Sequence, residues 1–193
     1  MKIVGVGCGP GMLTGEAIRV LRGARLVYGS RRAIEIARGA LPRSCEVHEI
    51  RDYTSLDLPE DAVLLSTGDP MLAGLGDRGG EVIPGISSLQ LAFARLRLPL
   101  ARVAVVDGHH RDPGLAIAEV VGEVGRGKIV FLIPDPAFPM ADLAGAIRRG
   151  GISCTIALCE DLGYLAERIS RGTPEQPPEI RSGLFSLVIG RFA

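Results

Sequence analysis

Three short stretches of the 193-residue chain combine glycine, proline and small hydroxyl residues: Gly5-Val6-Gly7-Cys8-Gly9-Pro10-Gly11, Ser66-Thr67-Gly68-Asp69-Pro70 (followed by Gly74 and Gly76), and Ile83-Pro84-Gly85-Ile86-Ser87-Ser88. Glycine admits positive φ and lets bare backbone approach a ligand, so such stretches suit a small molecule that is held by main-chain groups. The first is not a dinucleotide fingerprint. The third glycine of G-x-G-x-x-G would fall on Pro10, and Leu26-Val27-Tyr28-Gly29-Ser30 offers no acid for a ribose. It is not a phosphate-binding P-loop either, because no Gly-Lys-Ser/Thr follows. In the second stretch Pro70 keeps Asp69 out of the helical region, so this carboxylate is expected at a strand end in an extended or turn conformation. It serves either a ligand or its own turn. In the third, Ser87 or Ser88 is a candidate helix N-cap.

The remaining reactive residue types form no familiar catalytic set. Neither a Ser/His/Asp arrangement nor a pair of carboxylates can be assembled from the spacing. Cys8, Cys45, Cys154 and Cys159 include no C-x-x-C, and His48, His109 and His110 do not stand at zinc-ligand distance from them, so no metal site and no disulfide framework is expected. Lys2 and Lys128 are the only lysines; all other basic residues are arginine, the side chain that grips carboxylates and phosphates with a planar fork.

These residues have to be carried by elements. Ile3–Val6, Arg25–Tyr28, Ala62–Ser66, Arg102–Val106, Ile129–Ile133 and Thr155–Leu158 read as strands, several apolar on both faces as in a covered parallel sheet. Thr14–Arg22, Arg31–Arg38, Ser88–Arg97, Leu115–Val124 and Ala141–Arg149 carry apolar residues at helical spacing, with Thr14 as an N-cap and Gly23 as a stop. Strand–helix alternation predicts an α/β protein. A break is expected near Leu98–Val103, giving domains of residues 1–100 and 101–193 that leave a ligand cleft between two lobes, each a mixed, mostly parallel sheet flanked by helices. Gly183–Phe192 reads as a final strand. All three glycine stretches then fall at the carboxyl ends of strands in the first domain, the edge of an open α/β sheet where ligands sit.

Composition agrees with a folded chain. Its 26 glycines and 13 prolines make about a fifth of the residues, above the usual share of roughly 12% but below the roughly 25–30% that signals disorder, and 47% of the residues are hydrophobic. With 22 basic and 22 acidic residues the formal net charge is zero, which argues against a nucleic-acid partner. No apolar run has the length of a membrane span, and the N-terminus enters a strand without a charged-then-apolar leader, so a cytoplasmic protein is expected.

The order and spacing of Gly5–Gly11 with Leu13, Thr14 and Ala17, then Ser66–Pro70, then Val82–Ser88 resemble the tetrapyrrole (corrin/porphyrin) methylase family over nearly the whole chain. Within it, Gly29-Ser30-Arg31-Arg32, Pro84–Leu96, Cys159–Tyr164, Glu167-Arg168-Ile169 and Arg171-Gly172-Thr173 are similar to members that methylate C5 of a cobalt-containing corrin precursor. The stretch between Gly76 and Glu81 is shorter than the family's usual helix-bearing one. The resemblance implies a two-domain homodimer in cobalamin biosynthesis that binds S-adenosylmethionine in the inter-domain cleft, through Gly9, Pro10, Gly11, Gly68, Asp69, Pro70, Ser87, Ser88 and backbone near Ile133 and Ala157. Arg31, Arg32, Arg111 and His109 are the candidates on the corrinoid side, with His110 beside them. Cobalt would belong to the substrate, and a separate protein would perform C15 methylation and decarboxylation. Two alternatives stand beside this: another methylase of the same fold, acting on a different tetrapyrrole or on a diphthine-type residue, and a non-catalytic nucleotide-binding module.

Overall fold

The computed structural model describes residues 1–54 and 56–192. The chain divides into two compact units, Met1–Ser88 and Leu89–Ala193.

In the first unit, strands β1 (Lys2–Gly5), β2 (Leu26–Gly29), β3 (Glu46–Glu49), β4 (Val63–Ser66) and β5 (Glu81–Ile83) form one sheet in the order β3-β2-β4-β1-β5. Every pairing in it is parallel. Helices α1 (Gly15–Arg22) and α2 (Arg31–Ala37) are the crossovers after β1 and β2. Alternate residues of each strand go to opposite faces, and both faces are apolar. Val4, Val63 and Leu65 pack with Ala17, Leu21, Ala33 and Ile34 of the helices, whereas Ile3 and Leu64 pack with Ile50 and Tyr53. That explains the unbroken apolar runs of β1 and β4. Both crossover helices start on a hydroxyl cap: Thr14 Oγ1 accepts from the Ala17 amide at 3.1 Å and Ser30 Oγ from the Ala33 amide at 3.2 Å. A four-residue helix, α3 (Pro70–Ala73), follows β4, with no further helix before β5.

In the second unit, β6 (Val103–Asp107), β7 (Ile129–Ile133), β8 (Thr155–Glu160), β9 (Arg168–Gly172) and β10 (Phe185–Gly190) are ordered β6-β7-β10-β8-β9. Only β6 and β7 are parallel; β10 runs antiparallel to both of its neighbours, and β9 antiparallel to β8. This sheet is therefore mixed with antiparallel pairing dominant, where mostly parallel pairing was expected. The physical cause is that β8 is followed by a seven-residue loop (161–167) and a returning strand instead of a crossover helix. Helices α5 (Pro113–Gly125) and α6 (Met140–Arg149) cover one face through Val120, Val124, Leu143 and Ile147, against Val130, Leu132, Ile156, Leu158, Leu187 and Ile189.

The division falls between Ser88 and Leu89, twelve residues before the expected boundary at Leu100, because helix α4 (Ser88–Leu96) packs into the second unit. Phe93 is buried edge-on against Phe131 of β7, with ring centroids 6.5 Å apart, and Arg95 pairs with Glu167.

Candidate functional site

The strand order β4-β1-β5 sets three adjacent carboxyl ends side by side, and each carries one of the glycine stretches. The loops are joined to each other by main-chain hydrogen bonds. Gly7 and Gly68 exchange N–H···O bonds of 3.2 and 2.9 Å, and the Cys8 amide donates to the Ile86 carbonyl at 2.9 Å. Thr14 Oγ1 also donates to the Pro84 carbonyl, at 3.4 Å. Gly68 has φ +71°, a backbone state that strains other residues. A Cβ added to Gly85 would lie 2.1 Å from the Gly68 carbonyl oxygen, so the third loop passes flat against the second only because it has no side chain there.

Asp69 caps α3 in the extended conformation that Pro70 imposes, with φ −102° and ψ 132°. Its Oδ1 accepts from the Met71 amide at 2.8 Å and its Oδ2 from the Gly85 amide at 3.0 Å. Gly9 is buried, whereas Pro10 and Gly11 are exposed; Gly11, at φ +77°, has nothing within 4 Å of where a Cβ would stand. Ser87 is buried at the end of the third loop, and Ser88 opens α4. The structure thus brings Gly9–Gly11, Gly68–Pro70 and Ser87–Ser88 to one edge of one sheet.

The two neighbouring arginines part company. Arg32 is half-buried and donates from Nη2 to Thr67 Oγ1 at 3.0 Å, which draws it to the second glycine loop. Arg31, about 100° around the helix, is exposed and pairs with Glu35 at 3.0 Å.

The other candidates belong to the second unit. Gly108 donates its amide to the Ile133 carbonyl at 2.9 Å. Beyond it, Arg111 donates to the Asp107 carbonyl at 2.9 Å and pairs with Glu119 at 3.1 Å. His109 Nδ1 is 3.0 Å from Asp135 Oδ1, and the His110 amide donates to Asp135 Oδ2 at 3.1 Å. The His109 ring bond in particular, with the His110 amide adding to it, holds the Asp135 carboxyl below the usual carboxylate range. Ala157 is wholly buried in the middle of β8, opposite Val188 and Arg171, with strands on both sides.

Sequence reasoning missed Thr67 and Asp135. Asp135-Pro136 after β7 repeats the Asp69-Pro70 pattern after β4, and that dipeptide at a strand end was the available signal. Among the described residues, no group of three or more His, Cys, Asp or Glu side chains is arranged to hold a metal ion, all four cysteines are free thiols, and no helix is long and apolar enough to cross a membrane.

The family model for tetrapyrrole (corrin/porphyrin) methylases matches residues 2–178. The chain belongs to this family. It is 32% identical to the probable cobalt-precorrin-7 C(5)-methyltransferase of Methanocaldococcus jannaschii, over 94% of this chain and 92% of that protein. The crystal structure of the cobalamin biosynthesis precorrin-6Y methylase of Archaeoglobus fulgidus superimposes with a TM-score of 0.76 at 27% identity, covering 100% of this chain and 98% of that one. The uroporphyrin-III C-methyltransferase of Thermus thermophilus, solved with S-adenosylhomocysteine, shares the fold at a TM-score of 0.70 and 21% identity, with 98% and 91% covered. Family membership gives the joined glycine loops of this methylase a context: bare, fixed backbone at the carboxyl edge of a parallel sheet.

Proposed function

We propose that this methylase transfers a methyl group from S-adenosylmethionine to C5 of the corrin ring of cobalt-precorrin-7, in cobalamin biosynthesis. The observation that carries the reading is the 32% identity to a relative bearing that name, over 94% of the chain. The Archaeoglobus precorrin-6Y methylase supports the same pathway, and the S-adenosylhomocysteine complex of a structural neighbour supports the methyl donor. Cobalt enters as part of the substrate.

The residues present fit the donor. Gly11 offers open backbone with no side chain, Gly68 is held in a conformation that favours glycine, and the three loops are hydrogen-bonded to one another. When bound, S-adenosylmethionine supplies a methyl group made electrophilic by its sulfonium. The chain's part is to hold and orient. Gly9–Gly11, Gly68–Pro70 and Ser87–Ser88 form the cofactor-side surface, and Ile133 and Ala157 are the candidates from the second unit. Transfer to an electron-rich ring carbon calls for alignment more than for a strong base, which agrees with loops that offer main-chain groups. A corrin precursor carries several carboxylates, which suits a guanidinium recognition surface. Arg32, drawn to the second loop by Thr67, is the foremost candidate there. Arg31, Arg111 and His109 are the others; Arg31 must leave Glu35, and Arg111 must leave Glu119, before either can bind a ligand carboxylate. The reading carries with it a cytoplasmic homodimer, and a separate protein for C15 methylation and decarboxylation.

The test is calorimetry with S-adenosylmethionine and S-adenosylhomocysteine, then incubation with cobalt-precorrin-7 and mass spectrometry. Binding of both, followed by a mass gain of one methyl in place of one hydrogen at C5, is expected. Absence of binding to either refutes the methyltransferase reading; binding without methylation of this substrate moves the activity to another ring carbon or another acceptor.

A further inference from the structure

We infer that Asp69 is a positioning residue that sets the spacing of the second and third glycine loops, and that it does not serve as the counter-charge of the methyl donor's sulfonium. This rests on the proposed methyl donor, and the experiment below separates the two. A carboxylate at the edge of a site for a cationic ligand invites the electrostatic role. The geometry points elsewhere. Oδ1 is bonded to the Met71 amide at 2.8 Å and Oδ2 to the Gly85 amide at 3.0 Å, so both oxygens are turned onto the protein's own backbone. The first bond is local. The second reaches sixteen residues along the chain and ties α3 to the third loop, at the glycine that lies flat against the Gly68 carbonyl.

The location of the tie explains its need. Gly85 is buried but has no side chain to anchor it, and the backbone of Gly5 and Gly68 fills the space a side chain would take. A charge-assisted bond to its amide is about twice as strong as a neutral one. It fixes the orientation of the Pro84–Gly85 peptide, whose carbonyl accepts from Thr14 Oγ1; two residues on, the Ile86 carbonyl accepts from the Cys8 amide in the first loop. One carboxylate on the second loop thereby sets the third, and the third sets the first.

The two roles differ in what they recognise. A counter-charge acts on the cationic donor and not on the uncharged thioether S-adenosylhomocysteine; a positioning residue acts on both alike. Affinities of the full chain for the two ligands are to be measured by calorimetry for the wild type, Asp69→Asn and Asp69→Ala. Positioning predicts that Asp69→Ala weakens both ligands by the same factor, about tenfold to a hundredfold, and that Asp69→Asn, which keeps one acceptor oxygen, restores part of that loss for both. A fall confined to S-adenosylmethionine, with S-adenosylhomocysteine unchanged, overturns the inference.

A second measurement is independent of any ligand. Hydrogen exchange of the unliganded protein is expected to show a protected Gly85 amide in the wild type, with faster exchange over residues 84–88 in the variants. An unprotected Gly85 amide in the wild type, or unchanged exchange in a folded variant, also overturns the inference. If the wild type binds neither ligand, the methyl-donor reading fails, while the exchange data still decide the role of Asp69.

Discussion

Substituting alanine for Gly85 probes the loop cluster at its tightest point. The new Cβ would stand 2.1 Å from the Gly68 carbonyl oxygen, more than an ångström short of ordinary contact, and 2.8 Å from the carbonyl carbon of Gly5, also too close. Both obstacles are backbone, so no side chain can swing aside, and the third loop has to move bodily. Overpacking of this kind costs about 1–3 kcal/mol, and for a chain of this size each kcal/mol lowers the melting temperature by about 2–4 °C. A fall of about 2–12 °C is expected in a thermal melt. The moved loop belongs to the proposed ligand surface, so calorimetry with S-adenosylhomocysteine is expected to show weaker binding than in the wild type. Gly11→Ala is the matched control for stability. Its Cβ enters open space, and only the φ of +77° is unfavourable, a strain of about 1–2 kcal/mol with no neighbouring loop displaced. Wild-type affinity and wild-type melting in Gly85→Ala would refute the close apposition of the loops and the reasoning built on it.

Three further outcomes test other parts of the structure. Thr14→Ala removes both the cap on the Ala17 amide and the bond to the Pro84 carbonyl; a loss of about 0.5–2 kcal/mol is expected in denaturant titration. Glu167 accepts from Arg95 Nε at 2.6 Å and from the Gly163 amide at 2.8 Å, and the Arg95 bond holds its carboxyl below the usual range. A group depressed on folding stabilises the protein above its unfolded pKa, and that contribution is lost as the pH falls through the lower, folded value. Glu167→Gln should therefore cost about 1 kcal/mol at neutral pH, and the gap to the wild type should close under acid; a gap independent of pH would contradict the pairing. Cys159 is wholly buried and burial pushes its thiol up to about 12, so peptide mapping after thiol labelling at mildly alkaline pH should find it unmodified in the native protein and modified after unfolding.

Much of this architecture is legible in the sequence, for reasons that also show where legibility stops. Ile129–Ile133 is found at its exact bounds because it is buried along its whole length and closed at both ends by turn residues. Strand β3, Glu46-Val47-His48-Glu49, is largely exposed at a sheet edge and lacks the apolar alternation that marks a strand. Strand β9, Arg-Ile-Ser-Arg-Gly, is another polar edge and fails for the same cause. The glycine loops can be recognised one by one, yet their union depends on strand order, which local pattern does not encode. The Asp69 bond to Gly85 is invisible for that reason. Arg31 and Arg32 are the same residue type at adjacent positions, and only the helix orientation sends one to Glu35 and the other to Thr67.

The position of β10 in the second sheet bears on the order in which the protein can be made. The first unit has all its strands by Ile83, so its sheet can close while the rest of the chain is still being synthesised. In the second unit the strand that comes last in the sequence is the middle one, paired on one side with β7 and on the other with β8. Until Phe185–Gly190 emerge, β6-β7 and β8-β9 are two ribbons with nothing between them and with apolar edges exposed on both sides of the gap. The two halves of the molecule are thus expected to mature on different schedules. The second unit's vulnerable interval, when its open strand edges invite association with other chains, lasts until its final strand is released.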